Sequence, residues 1–212
     1  MKICFLDNSP IPYTANDLNS KLIRGGENAI IHLSKELSQL GNEVEVYNNN
    51  KNDCVIDDVK WFNLSSANKN SAYDVAFTNN DIRLFDNVIA RKYVAFSHSI
   101  QTIEKFIRKG QLLSYFKYKP KIVLLGNYHN KNRNYLLKLF GTINLNWAVD
   151  PLFLKTELNE NLIENRAIFT SRRDRNLDML IKLWMKKIFP KNKSVKLYTT
   201  PSELIDLSLI HI

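Results

Sequence analysis

The chain of 212 residues has only two cysteines, Cys4 and Cys54, and they share no motif spacing. A disulfide framework and a cysteine-built zinc site are thereby excluded, and the reduced thiols of a cytoplasmic protein are expected. No apolar run approaches the ~20 residues of a membrane-spanning helix. The opening "MKICFLDNSP" has too short an apolar run, ending at Asp7, for a signal peptide, and it reads as a first β-strand. Neither a G-x-G-x-x-G dinucleotide fingerprint nor a G-x-x-x-x-G-K-[ST] phosphate loop occurs. Negative charge is also scarce: 30 Lys and Arg face 21 Asp and Glu, for a net charge of +9. The excess is uneven, with ten basic residues against two aspartates between Arg166 and Thr200. Such a segment suits a phosphate-bearing substrate or peripheral contact with an anionic membrane, although a lysine-rich solvated surface explains it equally. Nucleic acid is not expected as a partner, since no recognition helix, RNA-binding motif or zinc motif is present.

What is present is an alternation of short apolar runs and helical periods. The run Ile3–Leu6 predicts a buried strand. A helix should follow Gly25-Gly26, with Ala29, Ile30, Leu33, Leu37 and Leu40 on one face, Glu27 in the first turn and Gly41 at its end. "EVEVYNN" predicts strand two, a polar stretch leads to "DVAFTNN" as strand three, and "KYVAFSHS" (92–99) and "KIVLLGN" (121–127) predict strands four and five. Helices are expected over about 100–109 and 134–140, with "TINLNWA" as the next strand. Strands that are apolar throughout, separated by helices, indicate an α/β fold with a doubly wound parallel sheet. The expected domain covers residues 1–150 and is followed by a polar linker over 151–165. From 166 the pattern restarts as strand, helix, strand, and 166–212 would then be the incomplete start of a second α/β domain.

Ligands of open α/β sheets bind at the carboxyl ends of the strands, and that is where unusual residues fall. Gly25 and Gly26 open a helix whose free N–H groups favour an anion, or they merely shape the turn. His98 ends strand four, where an imidazole can donate to a substrate oxygen; a histidine satisfied by neighbouring backbone fits as well. His129 is a weaker candidate of the same kind, while His32 and His211 carry no assigned role. Arg172, Arg173 and Arg175 follow the strand "AIFT", a position suited to bidentate phosphate contact or to a solvated basic turn. Asp150 reads as the cap of a turn.

These residues together resemble the retaining GT-B glycosyltransferases often called family 4. "GGENAIIHLSKELSQLGNEVEV" is similar to that family's glycine pair, acidic residue, leucine repeat and G-H-E-V-x-V strand, with Asn42 in place of the usual histidine. "INLNWAVDPLFL" resembles the segment that closes the first domain, with Trp147-Ala148 in place of Asn-Gly. "IFTSRRDRNLDMLIKLWMKKIFP" resembles the opening of the nucleotide-sugar domain.

The resemblance implies a sugar transferred from a nucleotide diphosphate-sugar to a saccharide or lipid-linked acceptor, as in polysaccharide biosynthesis. His98 would be the catalytic-site histidine, beside the transferred sugar or acceptor hydroxyl. Gly25, Gly26, Arg172 and Arg175 would bind the donor phosphates. No metal and no cofactor are expected, in keeping with the absence of D-x-D. The enzyme would be cytoplasmic, with peripheral membrane contact compatible. The family's E-x(7)-E pair is missing from these residues, so a truncated or frameshifted second domain is expected. The alternative is a non-catalytic remnant that binds a glycan or a partner.

Overall fold

The computed structural model describes residues 1–18, 23–98, 102–146, 165–169 and 176–199. The chain divides into two compact units, Met1–Ala148 and Val149–Ile212. In the first, the strands are β1 (Lys2–Leu6), β2 (Glu43–Ile56), β3 (Val59–Asn63), β4 (Ala72–Asn79), β5 (Ile89–Phe96), β6 (Lys121–Leu124) and β7 (Thr142–Asn144). They form one sheet in the order β3-β2-β1-β4-β5-β6-β7. Neighbouring strands run parallel, as in Ile3 opposite both Val44 and Val75, and the first half of β2 pairs with β3 in the same sense, Val44 opposite Val59. The chain therefore steps outward from β1 in one direction, returns to β4 on the other side of β1, and steps outward again. Its direction of winding reverses between β1 and β4.

Helix α1 (Gly25–Gln39) joins β1 to β2, and α2 (Ile103–Arg108) and α3 (Leu112–Tyr118) join β5 to β6. Strand alternation sends β1 into two cores. Ile3 and Phe5 pack with Ile30 and Ile31 of α1, Val44, Val46 and Trp61, while Cys4 and Leu6 pack on the other face with Phe85, Phe106 and Tyr115. Both faces are covered, which is why these strands read as unbroken apolar runs.

Several expectations are corrected. The inward stripe of α1 is Glu27, Ile30, Ile31 and Ser34, and Leu40 is 78% exposed. The stripe is rotated because the sheet lies under the 27-30-31-34 ridge, with Leu33 and Leu37 packed at its flank. The polar stretch after strand two hides a hairpin. β2 continues to Ile56, the chain reverses at Asp57 and Asp58 (φ 52° and 59°), and β3 returns with Trp61 fully buried. The partners Cys54–Trp61, Val55–Lys60 and Ile56–Val59 rise along one segment as they descend along the other. That is hairpin pairing, and two successive left-handed residues are what a tight hairpin turn requires.

Of the expected helix over 100–109, residues 100 and 101 lie outside the described residues; α2 covers Ile103–Arg108 and ends ahead of Gly110 (φ 64°), and the unforeseen α3 follows it. Strand six stops at Leu124 because Gly126 has φ 145°, and α4 (Asn127–Asn132) follows. The expected helix over 134–140 is a single 3₁₀ turn, Tyr135–Lys138, capped by the Asn134 side chain accepting from Leu136 N at 3.0 Å.

In the second unit, β8 (Arg166–Phe169) and β9 (Lys196–Thr199) pair in parallel, Arg166 opposite Lys196. Between them lie α5 (Leu177–Leu183) and a π-helical turn, Trp184–Ile188, with Leu177 and Trp184 buried. This is one β-α-β crossover. Among the described residues no helix is long and apolar enough to cross a membrane.

Candidate site at the winding reversal

A parallel sheet whose winding reverses leaves a crevice at the carboxyl ends of the two strands that flank the reversal. Here those ends are Asp7-Asn8-Ser9 after β1 and Asn79-Asn80-Asp81 at the end of β4, with Ser97-His98 after β5 alongside. Polar residues cluster there against the grain of a buried edge. Asp7, Ser9, Asn79, Asp81 and Ser97 are all at most 8% exposed.

On the α1 side the cluster is a closed hydrogen-bond network. Asp7 Oδ2 accepts from the Tyr13 hydroxyl at 2.7 Å and Oδ1 from Ser9 N at 3.1 Å. Ser9 Oγ donates to Glu27 Oε1 at 2.5 Å, which ties the first turn of α1 to the end of β1. Burial raises the Asp7 carboxyl above its ordinary value. Bonds from Tyr13, Asn79 and Ser9 pull it back down, and the nearby Glu27 charge raises it further.

His98 Nε2 lies 2.8 Å from Asn79 Oδ1. The same oxygen accepts from Asn80 Nδ2 at 3.0 Å, so it acts as an acceptor and the imidazole donates through Nε2–H. Burial holds His98 below its ordinary value, against the opposing pull of Glu27. The ring is therefore neutral at pH 7.

The glycine pair divides in role. A Cβ on Gly26 would stand 3.2 Å from Asn79 Nδ2 and 3.3 Å from His98 Nε2, so glycine here permits close packing of α1 on the strand ends. A Cβ on Gly25 would meet nothing within 4 Å. The first N–H groups of α1 have no intrahelical acceptor, and Arg24 at the N-cap supplies no side-chain cap. Glu27, however, brings a buried carboxylate into the same turn. That acid offsets part of the attraction that the helix end offers an anion.

The α2 side is open. A cleft of about 320 Å³ is lined by Asn8, Asn80 and Asp81 from the strand ends and by Arg83, Arg108, Lys109 and Gln111. Asp81 is fully engaged: it accepts from Arg83 Nε at 2.9 Å, from Arg83 Nη2 at 2.7 Å and from Asn8 Nδ2 at 3.0 Å. Gln111, 1% exposed, donates to the Asn80 carbonyl at 3.0 Å, while its Oε1 is buried without a donor among the described residues. Asn80 adopts φ 61°, a left-handed conformation that asparagine tolerates.

Of the residues singled out from sequence, Gly26 and His98 thus meet at the reversal, with Gly25 beside them. His129 lies on α4, beyond β6. Arg172, Arg173, Arg175 and Asp150 lie outside the described residues. Asp7, Ser9, Glu27, Asn79 and the residues of the α2-side cleft were missed. The signal for several was available, since "DNS" and "NND" directly follow apolar runs and so occupy carboxyl ends of strands. Among the described residues no group of three or more His, Cys, Asp or Glu could hold a metal ion.

The first unit is thus a Rossmann-like α/β domain with a polar crevice at its winding reversal. Compared with family models, with curated proteins and with solved structures, the chain matched none.

Proposed function

We propose that the chain is that of a GT-B glycosyltransferase, with the acceptor side in its first unit and the donor side in its second, transferring a sugar from a nucleotide diphosphate-sugar to a saccharide or lipid-linked acceptor. The observation that carries this reading is the packing of Gly26 against Asn79 and His98 at the winding reversal. The glycine pair of the segment that carries the resemblance, and the histidine to which the resemblance gives a role, are 72 positions apart in "GGENA" and "FSHS" and nevertheless adjoin at the strand ends.

In this reading the acceptor oxygen bonds to the sugar's anomeric carbon as the bond from that carbon to the diphosphate breaks. The acceptor's proton leaves with the diphosphate. A neutral His98 lies at that point, its ring held in orientation by the bond from Nε2–H to Asn79 Oδ1. Arg172 and Arg175 would offset the charge that develops on the departing diphosphate. Metal and cofactor are not required by this scheme.

The test is transfer by the complete chain across a panel of nucleotide diphosphate-sugars with saccharide and lipid-linked acceptors, read as released nucleoside diphosphate. His98→Ala is expected to lower turnover by ~10²-fold or more, with nucleoside diphosphate affinity within about twofold of the parent, as befits a side chain placed at the reacting sugar. Arg172→Ala is expected to do the reverse and weaken nucleoside diphosphate binding. A chain that binds glycan or nucleoside diphosphate but releases no product with any donor is a binding module and not a transferase.

A further inference from the structure

We infer that the α2 side of the winding reversal is a subsite for a ligand carrying a phosphate group next to free hydroxyls, with Arg108 and Lys109 holding the phosphate and Gln111 accepting from a hydroxyl.

Charge is the first ground. Three cations and one carboxylate line the cleft. The carboxylate, Asp81, is already neutralised by the two-pronged Arg83 contact. Among the described residues neither Arg108 nor Lys109 forms an ion pair. The nearby Lys105 amine is lowered by burial and then by repulsion from Lys109 and Arg108, a sign that positive charge accumulates here.

The second ground is Gln111. An amide oxygen buried without a donor is costly, about 1–3 kcal/mol in general, and native structures seldom leave one so. Gln111 Oε1 is such an atom, its Nε2 fixed on the Asn80 carbonyl so that the amide cannot turn to satisfy itself differently. A hydroxyl is a suitable donor, and the Asn8 and Asn80 side chains that line the same cleft add further amide groups for neighbouring hydroxyls. Cations in the last turn of a helix also complement its dipole. That ordinary role does not call for an orphaned amide acceptor beside them.

The cleft volume, about 320 Å³, suits a sugar- or polyol-sized group. On the glycosyltransferase reading, on which this identification alone rests, the ligand is the acceptor, and the acceptor is phosphorylated. The same chemistry is offered by a soluble sugar phosphate and by a phosphoinositol- or phosphoglycerol-type lipid headgroup.

The probe is glycerol 3-phosphate, titrated calorimetrically into the complete chain at 0.15 M salt, with glycerol and inorganic phosphate as references. Glycerol 3-phosphate should bind more tightly than either reference. Both cationic side chains are exposed, so the double variant Arg108→Gln/Lys109→Gln should keep its melting temperature and lose affinity at least tenfold. Gln111→Leu should erase the preference for glycerol 3-phosphate over inorganic phosphate.

Binding no tighter than glycerol, or binding unchanged in the double variant, overturns the inference. Loss on Arg172→Ala with no effect of the double variant does the same, by moving the phosphate to the second unit. Phosphatidylglycerol vesicles distinguish the sources. Competition that depends on Arg108 and Lys109 assigns the headgroup, and indifference to vesicles assigns the soluble compound. If glycerol 3-phosphate binds as described but no sugar is transferred, the transferase reading fails alone. If sugar is transferred and both binding and turnover ignore the double variant, this inference fails alone.

Discussion

On the α1 side of the β1/β4 junction, Asp7 and Glu27 are 2% and 4% exposed and each accepts a hydrogen bond from Tyr13, Ser9 or both. On the α2 side, a few residues away along the same sheet edge, Arg108 and Lys109 stand in solvent beside an amide oxygen that lacks a donor. Acidic groups on one side are committed to holding α1 against the sheet. On the other side Arg83 is engaged with Asp81, but Arg108 and Lys109 form no ion pair among the described residues. The difference teaches where to look for recognition: charges spent on architecture are unavailable to a ligand, whereas charges that the fold leaves unused can serve one.

The contrast breaks most visibly at Asp7. Asp7→Ala would leave the Tyr13 hydroxyl and Ser9 N without their acceptor. At ~1–3 kcal/mol for each of the two buried donors so orphaned, the loss should be about 2–6 kcal/mol in urea unfolding. Arg108→Gln in the same assay should fall within ~0.5 kcal/mol of the parent. Equal effects would show that the acidic side is no more structural than the basic one.

Arg133 sharpens the point from the opposite direction. This arginine is 5% exposed, its Nε and Nη2 have no partner among the described residues, and burial lowers its guanidinium to about 10, so it stays charged at pH 7. A buried, uncompensated cation costs stability. Arg133→Met should raise stability by about 1–2 kcal/mol. A destabilised variant would mean that the guanidinium is used.

His98 gives the pH dependence. Its folded value is depressed below the ordinary 6.5 by burial, so the unfolded chain takes up the proton first as pH falls. Stability should therefore decline as pH drops below 6.5 toward the folded value, and be constant above it with respect to this group. His98→Asn should remove that decline. Asp7 acts in the other direction at lower pH: its raised folded value means that stability falls as pH rises from 3.8 through that value. The smallest effect belongs to the glycines. Gly25→Ala meets open space and should stabilise α1 by a few tenths to ~1 kcal/mol. Gly26→Ala meets Asn79 and His98 at 3.2 and 3.3 Å, so the same gain should be cancelled and the His98 Nε2–H resonance should shift.

Local pattern made much of this protein legible. Ile3–Leu6, Val75–Phe77 and Val94–Phe96 read as strands because the sheet is covered on both faces, and α1 read as a helix from its period and its glycine borders. The β2–β3 hairpin did not, because "NNNKNDCVIDDVKWFN" is polar and its only strong apolar signal is one side of an edge strand. Helix lengths after β5 and β6 were misread for a similar reason: Gly110 and Gly126 break the chain through positive φ, which composition alone does not place. Half of the crevice was visible as residues at strand ends. The Asp7–Ser9–Glu27 network was not, since nothing in its spacing distinguishes it from a solvated turn.

Residue order by itself determined the α/β class, the main alternation of strands and α1, the positive charge, and the presence of a glycine pair and a histidine where strand ends fall. These are properties of short windows, in which period and side-chain size act between neighbours in sequence. Tertiary structure alone decided that winding reverses between β1 and β4, that Gly26 must stay small for Asn79 and His98, and that Asn8 shares a cleft with Arg108. Those depend on which strands pair and which faces are buried. Burial and pairing join residues that are far apart along the chain, and only the folded sheet brings them within reach of one another.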